Sequence, residues 1–202
     1  MYLVKTTVQD SKIQGKGYFA DQAIPMGTIV YFYADEDVMF SQVQVEKMSP
    51  QEKAKIEEFA VENEYGQWVL TKSGPFTNHS CNANILPLYI KGLYCDIAVR
   101  DIKPGEEITI DYGLFFSSKK WDMKCLCGTA NCRDTIGFGK SVSTDIEKLW
   151  FNKIQNAAQL IGSVTQPIFD LEDADAITIK NALEAKSTKM IAKYCKFSLI
   201  NT

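Results

Sequence analysis

The sequence predicts a mainly β domain followed by an α-helical C-terminal tail. Three observations carry this. Up to about residue 138, apolar runs are short, rich in β-branched and aromatic residues, and bounded by Gly or Pro. One helix, opened by a capping box near residue 50, interrupts them. From Thr144 the apolar residues recur at helical spacing.

In order, residues 2–10 (YLVKTTVQD) have short-strand character. Residues 15–20 (GKGYFA) form a glycine-punctuated bend, and 27–34 (GTIVYFYA) read as a strand behind Pro25 and Gly27. Ser49 is a good N-cap, Pro50 suits the first helical position and Glu52 completes the box. Ile56, Phe59 and Ala60 share one face of that helix. QWVLT (67–71) is a short strand. NILPLYI and LYCDIAVRDI read as a β pair around Lys91-Gly92. Pro104-Gly105 makes a turn, and ITIDYG (108–113) closes the β-rich part. A second capping box, Thr144 to Glu147, opens a helix carrying Ile146, Trp150, Ile154, Ala157 and Ile161 inward until Gly162. A last helix spans about 171–194, with Ala176, Leu183 and Met190 one heptad apart.

Composition narrows the function. Hydrophobic residues make up 46% of 202, enough for a sizeable core. With 22 Lys+Arg against 25 Asp+Glu, the net charge is −3, so no basic surplus favours direct nucleic-acid binding. A mildly acidic surface suits a basic partner. No membrane span and no signal peptide are expected, which makes a soluble intracellular protein the default. Six cysteines in a reducing compartment point to metal or free thiols.

Cys125, Cys127 and Cys132 form C-x-C-x4-C, with Gly128 and Asn131 permitting tight turns. That spacing suits a tetrahedral, structural thiolate zinc site. Cys81 is the best fourth ligand, since Cys95 and Cys195 read as core residues. The lone histidine, His79, excludes a multi-His metal site, and by itself it reads as a buried, hydrogen-bonded ring. The G-x-G of GKGYFA lacks the third glycine of a dinucleotide fingerprint. Tyr112 alone could be a core residue beside an aspartate turn.

The order of these segments is more informative than any one of them. GKGYFA (15–20), GTIVYFY (27–33), NHSCNAN (78–84), GEEITIDYG (105–113) and CLCGTANCR (125–133) stand in sequence. Over roughly residues 1–138 this resembles the SET-domain protein lysine methyltransferases with a post-SET zinc motif. The resemblance implies a SET domain over 1–118, a post-SET zinc segment over 119–138 and a helical extension over 139–202 that matches no family feature. It implies small curved β-sheets and a pseudoknot in which the NHSC strand passes through a loop made by the DYG segment. It also implies S-adenosylmethionine bound by the backbone of Lys16, Gly17 and Tyr18, with Asn78 and His79. Trp121 would either pack on the adenine or fill the core. Zinc would be held by Cys81, Cys125, Cys127 and Cys132. Tyr112 matches the family's catalytic tyrosine, and Tyr33 one that lines the lysine channel. Pro75, Phe32 and Ile110 depart from residues common in the family; the last position helps set how many methyls are added.

Methylating lysine requires its neutral amine. At a pKa near 10.4, that form costs roughly 4–5 kcal/mol at pH 7 in water. An apolar, tyrosine-lined channel and a nearby sulfonium both disfavour the ammonium. The expected function is S-adenosylmethionine-dependent protein-lysine N-methylation of a histone tail or another basic peptide. A catalytically silent SET fold serving as a peptide-binding or scaffold module is the alternative. Methylation of a small molecule or another side chain is a third.

Overall fold

The computed structural model describes residues 1–32, 38–62, 67–70, 74–90, 93–114, 121–138 and 143–184. β1 (Thr6–Asp10) and β2 (Lys16–Ala20) form an antiparallel hairpin in which Asp10 faces Lys16 and Thr6 faces Ala20. The GKGYFA segment is thus itself a strand, entered through Gly15 in the left-handed region at φ +52°. That conformation comes at no steric cost only to glycine. β3 (Ile29–Phe32) is buried along its whole length.

A satellite unit follows: β4 (Val38–Phe40), α1 (Gln42–Glu46), α2 (Pro50–Phe59), β5 (Val61–Glu62) and β6 (Trp68–Leu70). Its sheet runs β4-β6-β5 and closes on Val45, Ile56 and Trp68. α2 starts as expected: the Ser49 side chain accepts from the Glu52 N–H, and Glu52 accepts from the Ser49 N–H at 2.8 Å. Ile56 is buried, whereas Phe59 and Ala60 are half-buried. α1 was not expected; its own capping box, Ser41 with Gln44, precedes no long apolar stripe.

β7 (Ile85–Ile90) and β8 (Leu93–Ala98) pair antiparallel with Ile90 opposite Leu93, and β8 also pairs with β3. The expected turn residues, Lys91 and Gly92, lie outside the described residues. β9 (Trp121–Lys124) and β10 (Thr135–Phe138) form a hairpin on either side of the clustered cysteines.

α3 (Thr144–Leu160) presents Trp150, Ile154 and Ala157 inward, as its spacing predicts. Its N-cap is Ser143, whose side chain accepts from the Ile146 N–H, so the start lies one residue before the expected box. α4 (Ala174–Glu184) buries Ala176, Ile179 and Leu183, while Met190 and Cys195 lie outside the described residues. These helices share one core with the β3-β8-β7 sheet, including Phe32, Leu88, Cys95, Ile97, Ile154 and Ile168. Gln166 joins tail to sheet. Its buried side chain accepts from the Ile29 N–H at 2.9 Å and donates to the Gly27 and Ile161 carbonyls at 2.8 and 3.0 Å.

The segment 108–113 is not an ordinary edge strand. Thr109 and Ile110 run between the two arms of the loop 78–85. On one side Ile110 N–H donates to Asn78 O and Ser80 N–H to Ile110 O, both at 3.1 Å. On the other, the N–H groups of Asn84 and Ile85 both donate to Thr109 O at 3.2 Å. Asn84, fully buried, closes the crossing: its Oδ1 accepts from the Thr109 N–H at 2.8 Å and its Nδ2 donates to Glu107 O at 2.8 Å. A clasped segment satisfies its backbone polar groups on both sides without joining a sheet. Ile110 is buried there beside Ile85 and Ile108, so the residue two before Tyr112 packs the crossing.

Candidate functional site

The crossing brings the chemistry-bearing motifs together. Asn78 Nδ2 lies 2.9 Å from Lys16 O, 3.1 Å from Gln14 O and 2.7 Å from Glu107 Oε1. The Asn78 side chain is thereby held against the β2 entry. An added Cβ on Gly17 would stand 2.2 Å from Glu107 Oε1, so the carboxylate that holds Asn78 and Ser11 would have to move. Tyr18 packs on Tyr2, with ring centroids 4.6 Å apart, and edge-on to Phe76 at 6.0 Å. Tyr2 in turn meets Tyr31 edge-on at 5.2 Å.

Tyr112 lies just beyond the clasp. Its hydroxyl donates to Thr77 O at 2.7 Å, and Thr77 Oγ1 is hydrogen-bonded to the Tyr2 hydroxyl at 2.8 Å. Burial, helped by the Glu107 charge, pushes the Tyr112 phenol up to about 12. It is therefore a neutral phenol at physiological pH.

His79 is an internal strut. Its Nδ1 accepts from the Tyr112 N–H at 3.1 Å, and Nε2 lies 3.3 Å from Cys81 Sγ. Accepting at Nδ1 puts the proton on Nε2, which then points at the sulfur. Burial lowers His79 to about 4, against the pull of Asp111, so the ring is neutral and its 3.6 Å approach to Asp111 is no ion pair. The imidazole thus lies inside the crossing, matching the bland reading of the lone histidine.

Cys81, Cys125, Cys127 and Cys132 place their sulfurs within 4.8 Å of one another. Cys81 and Cys125 are 3.7 Å apart. A tetrahedron with Zn–S bonds of ~2.3 Å has edges of about 3.8 Å. The donor set therefore fits zinc, and four thiolates leave no position for a reacting water. Trp121 and Tyr112 both pack against this cluster. Arg133 covers it: its N–H and Nε both donate to Cys81 Sγ at 3.3 Å. Burial raises the Cys81 thiol, and the guanidinium pulls it back towards the thiolate.

Asp111 joins these parts. Its carboxylate is 1% exposed. Oδ1 accepts from Arg133 Nη2 and, at 3.0 Å, from the Gly113 N–H; Oδ2 accepts from Trp150 Nε1 at 3.0 Å.

Comparison with known proteins agrees with this arrangement. The profile of the SET domain family matches residues 15–113. These residues are a SET domain. Over 131 residues the chain is 30% identical to human "Histone-lysine N-methyltransferase 2D", covering 61% of this chain and 2% of that protein. Over 156 residues it is 33% identical to "Histone-lysine N-methyltransferase, H3 lysine-36 specific" of Mycosarcoma maydis, covering 72% of this chain and 15% of that one. The chain thus spans a small part of these curated relatives. The matched segment includes Cys81 but stops before Cys125, Cys127, Cys132 and α3, which the fold nevertheless packs against it. No described helix is long and apolar enough to cross a membrane.

Within this SET domain, the residues expected at the site fall into two groups. The Lys16 carbonyl meets Asn78, with Gly17 and Tyr18 following on β2, while His79, Tyr112, Cys81 and, beyond the matched segment, Trp121 and the other cysteines of the cluster adjoin one another. Tyr33 lies outside the described residues. Sequence reasoning missed Thr77, Tyr2, Arg133, Asp111 and Trp150 as parts of the site. Asp111 and Arg133 lie inside quoted motifs and so were in view. Nothing in the sequence marked Trp150, whose helical spacing explains it fully as core.

Proposed function

We propose that this protein is an S-adenosylmethionine-dependent protein-lysine N-methyltransferase acting on a histone tail or another basic peptide. The observation that carries the reading is that consecutive residues hold both halves of the chemistry. Asn78 is bound to the Lys16 carbonyl, and the carbonyl of Thr77 just before it receives the Tyr112 hydroxyl. When bound, the donor supplies a methyl group on a sulfonium. The backbone of Lys16, Gly17 and Tyr18, with Asn78, would hold it. His79 would join Asn78 beside the donor while also fixing Tyr112 and Cys81, and Trp121 would pack on the adenine from the cysteine side.

Tyr112 orients the target amine. With its proton committed to Thr77 O, the phenol oxygen retains lone pairs to accept an N–H from a neutral amine. A phenol pushed up to about 12 is poorly suited to be a base, so the lysine proton leaves through water. The rings of Tyr18, Phe76 and Tyr112 would strip water from the amine without offering it a counter-ion, and that desolvation, with the sulfonium charge, disfavours the ammonium. Tyr33 would complete that wall. Zinc would hold Cys81, Cys125, Cys127 and Cys132 and so fix the crossing, with no part in bond making. The names of the relatives, histone-lysine N-methyltransferases, and the net charge of −3 both support a basic protein substrate.

The test is mass spectrometry of a cell extract incubated with the protein and isotope-labelled donor. Label on lysine side chains is expected. Label confined to other residues or small molecules would overturn the assignment. No label at all, with saturable donor binding by calorimetry, would leave a silent module.

A further inference from the structure

The matched SET segment ends at residue 113, yet a side chain from α3 reaches its last turn. Trp150 is 4% exposed, and its indole N–H donates to Asp111 Oδ2 at 3.0 Å. Among the described residues it is the one donor to that oxygen. The indole ring also lies under the Arg133 guanidinium, 5.6 Å from its centroid. It abuts the D-Y-G turn so closely that a Cβ on Gly113 would be 3.1 Å from Trp150 Cη2. One turn along, Lys153 Nζ donates to Asn82 Oδ1 at 3.1 Å, beside Cys81. α3 therefore touches both threads of the crossing and is itself fixed by buried Ile154, Ala157 and Ala158.

We propose that Trp150 is a positioning residue for methyl transfer. Its indole N–H fixes the Asp111 carboxylate, and that carboxylate aligns Tyr112 on one side and holds Arg133 over Cys81 on the other. The role in transfer rests on the lysine methyltransferase reading above; the role in holding Arg133 over Cys81 does not. The physical argument is one of satisfaction. A buried carboxylate oxygen deprived of its donor seeks another, and the Gly113 N–H, on the turn that carries Tyr112, already serves the same carboxylate at 3.0 Å. A displacement of about 1 Å there is enough to lower turnover by up to about 10²-fold.

The test uses the full chain and Trp150→Phe, which keeps an aromatic ring and cannot donate. Ile154→Val, which trims the same helix away from Asp111, is the control. With purified core histones and labelled donor, W150F should lower kcat between about tenfold and 10²-fold, with the donor KM within about twofold. Zinc release to a chelator should quicken several-fold in W150F and stay unchanged in I154V. Equal falls of kcat in the two variants would make the role merely structural and overturn the proposal. If the wild type labels no protein, the methyltransferase reading has failed. The zinc readout then decides by itself: an unchanged release rate in W150F refutes the positioning role. Should W150F not fold, hydrogen exchange in the wild type serves instead. The Trp150 indole N–H should be strongly protected, and exchange as fast as an exposed indole would overturn the proposal.

Discussion

Asp96 offers the sharpest test of how burial is organised around the tyrosine cluster. It stands on β8 opposite Tyr31 of β3 and Pro87 of β7, and is 3% exposed. Its Oδ1 has no hydrogen-bond partner among the described residues. Burial pushes the carboxyl up to about 7, against the opposing charge of the amino terminus; the phenols of Tyr2 and Tyr31 also face it. The unfolded chain titrates it near 3.8. Below pH 4 both states hold the proton, and the contribution to stability is fully present. Between about pH 4 and pH 7 the folded state keeps a proton that the unfolded state has already released, and above 7 neither state holds it. Stability therefore falls across that window. At 1.36 kcal/mol per pH unit the loss approaches about 4 kcal/mol by pH 8.

Asp96→Asn removes the charge while keeping the shape. Urea unfolding of both proteins, with zinc supplied, at pH 5, 6, 7 and 8 reads the difference. The variant should match or fall slightly below the wild type at pH 5, since its amide remains under-bonded, at a cost of roughly 1–3 kcal/mol. From pH 5 to pH 8 the difference should move in the variant's favour by about 3 kcal/mol at unchanged m. Parallel pH profiles for the two proteins would refute the claim that this carboxyl is protonated in the folded state near neutrality.

Tyr112→Phe should cut kcat by roughly 10²-fold, as loss of an oriented polar group does, while calorimetric donor affinity changes little; a fully active variant removes the orienting role. Cys127→Ser should lower bound zinc below one equivalent by elemental analysis and lower the melting temperature, and full metal retention would exclude Cys127 as a ligand. Asn84→Ala strips the clasp of its Thr109 and Glu107 hydrogen bonds. It should cost about 2–4 kcal/mol in urea unfolding. Gln166→Leu should destabilise by a similar amount through the orphaned Ile29 N–H and Gly27 carbonyl; a neutral result would show that the tail does not brace β3.

The features readable from the chain were those whose cause is local. The Ser49 cap, the β7-β8 pairing, the inward stripe of α3 and the cysteine spacing each follow from a few neighbouring residues. Of the satellite unit, β6 and α2 fall where they were expected, whereas β4, α1 and β5 escaped because elements of two to five residues carry too little periodicity to register. The clasp on 108–113, expected only from the family resemblance, is invisible in its own residues for the same reason. A segment clasped between two arms of a distant loop has the alternation of a strand, and nothing nearby distinguishes the two.

Sequence by itself determined which residues were available for the chemistry, and the order of its motifs pointed to the family. Tertiary structure alone decided that Asp111 and Trp150, 39 positions apart, share a hydrogen bond. It likewise decided that His79 is a neutral strut and that Gln166 stitches the tail to β3. The reason is that burial and satisfaction of polar groups depend on what arrives from far along the chain. A spacing pattern records the helix face on which Trp150 lies, but not the carboxylate that waits beneath it.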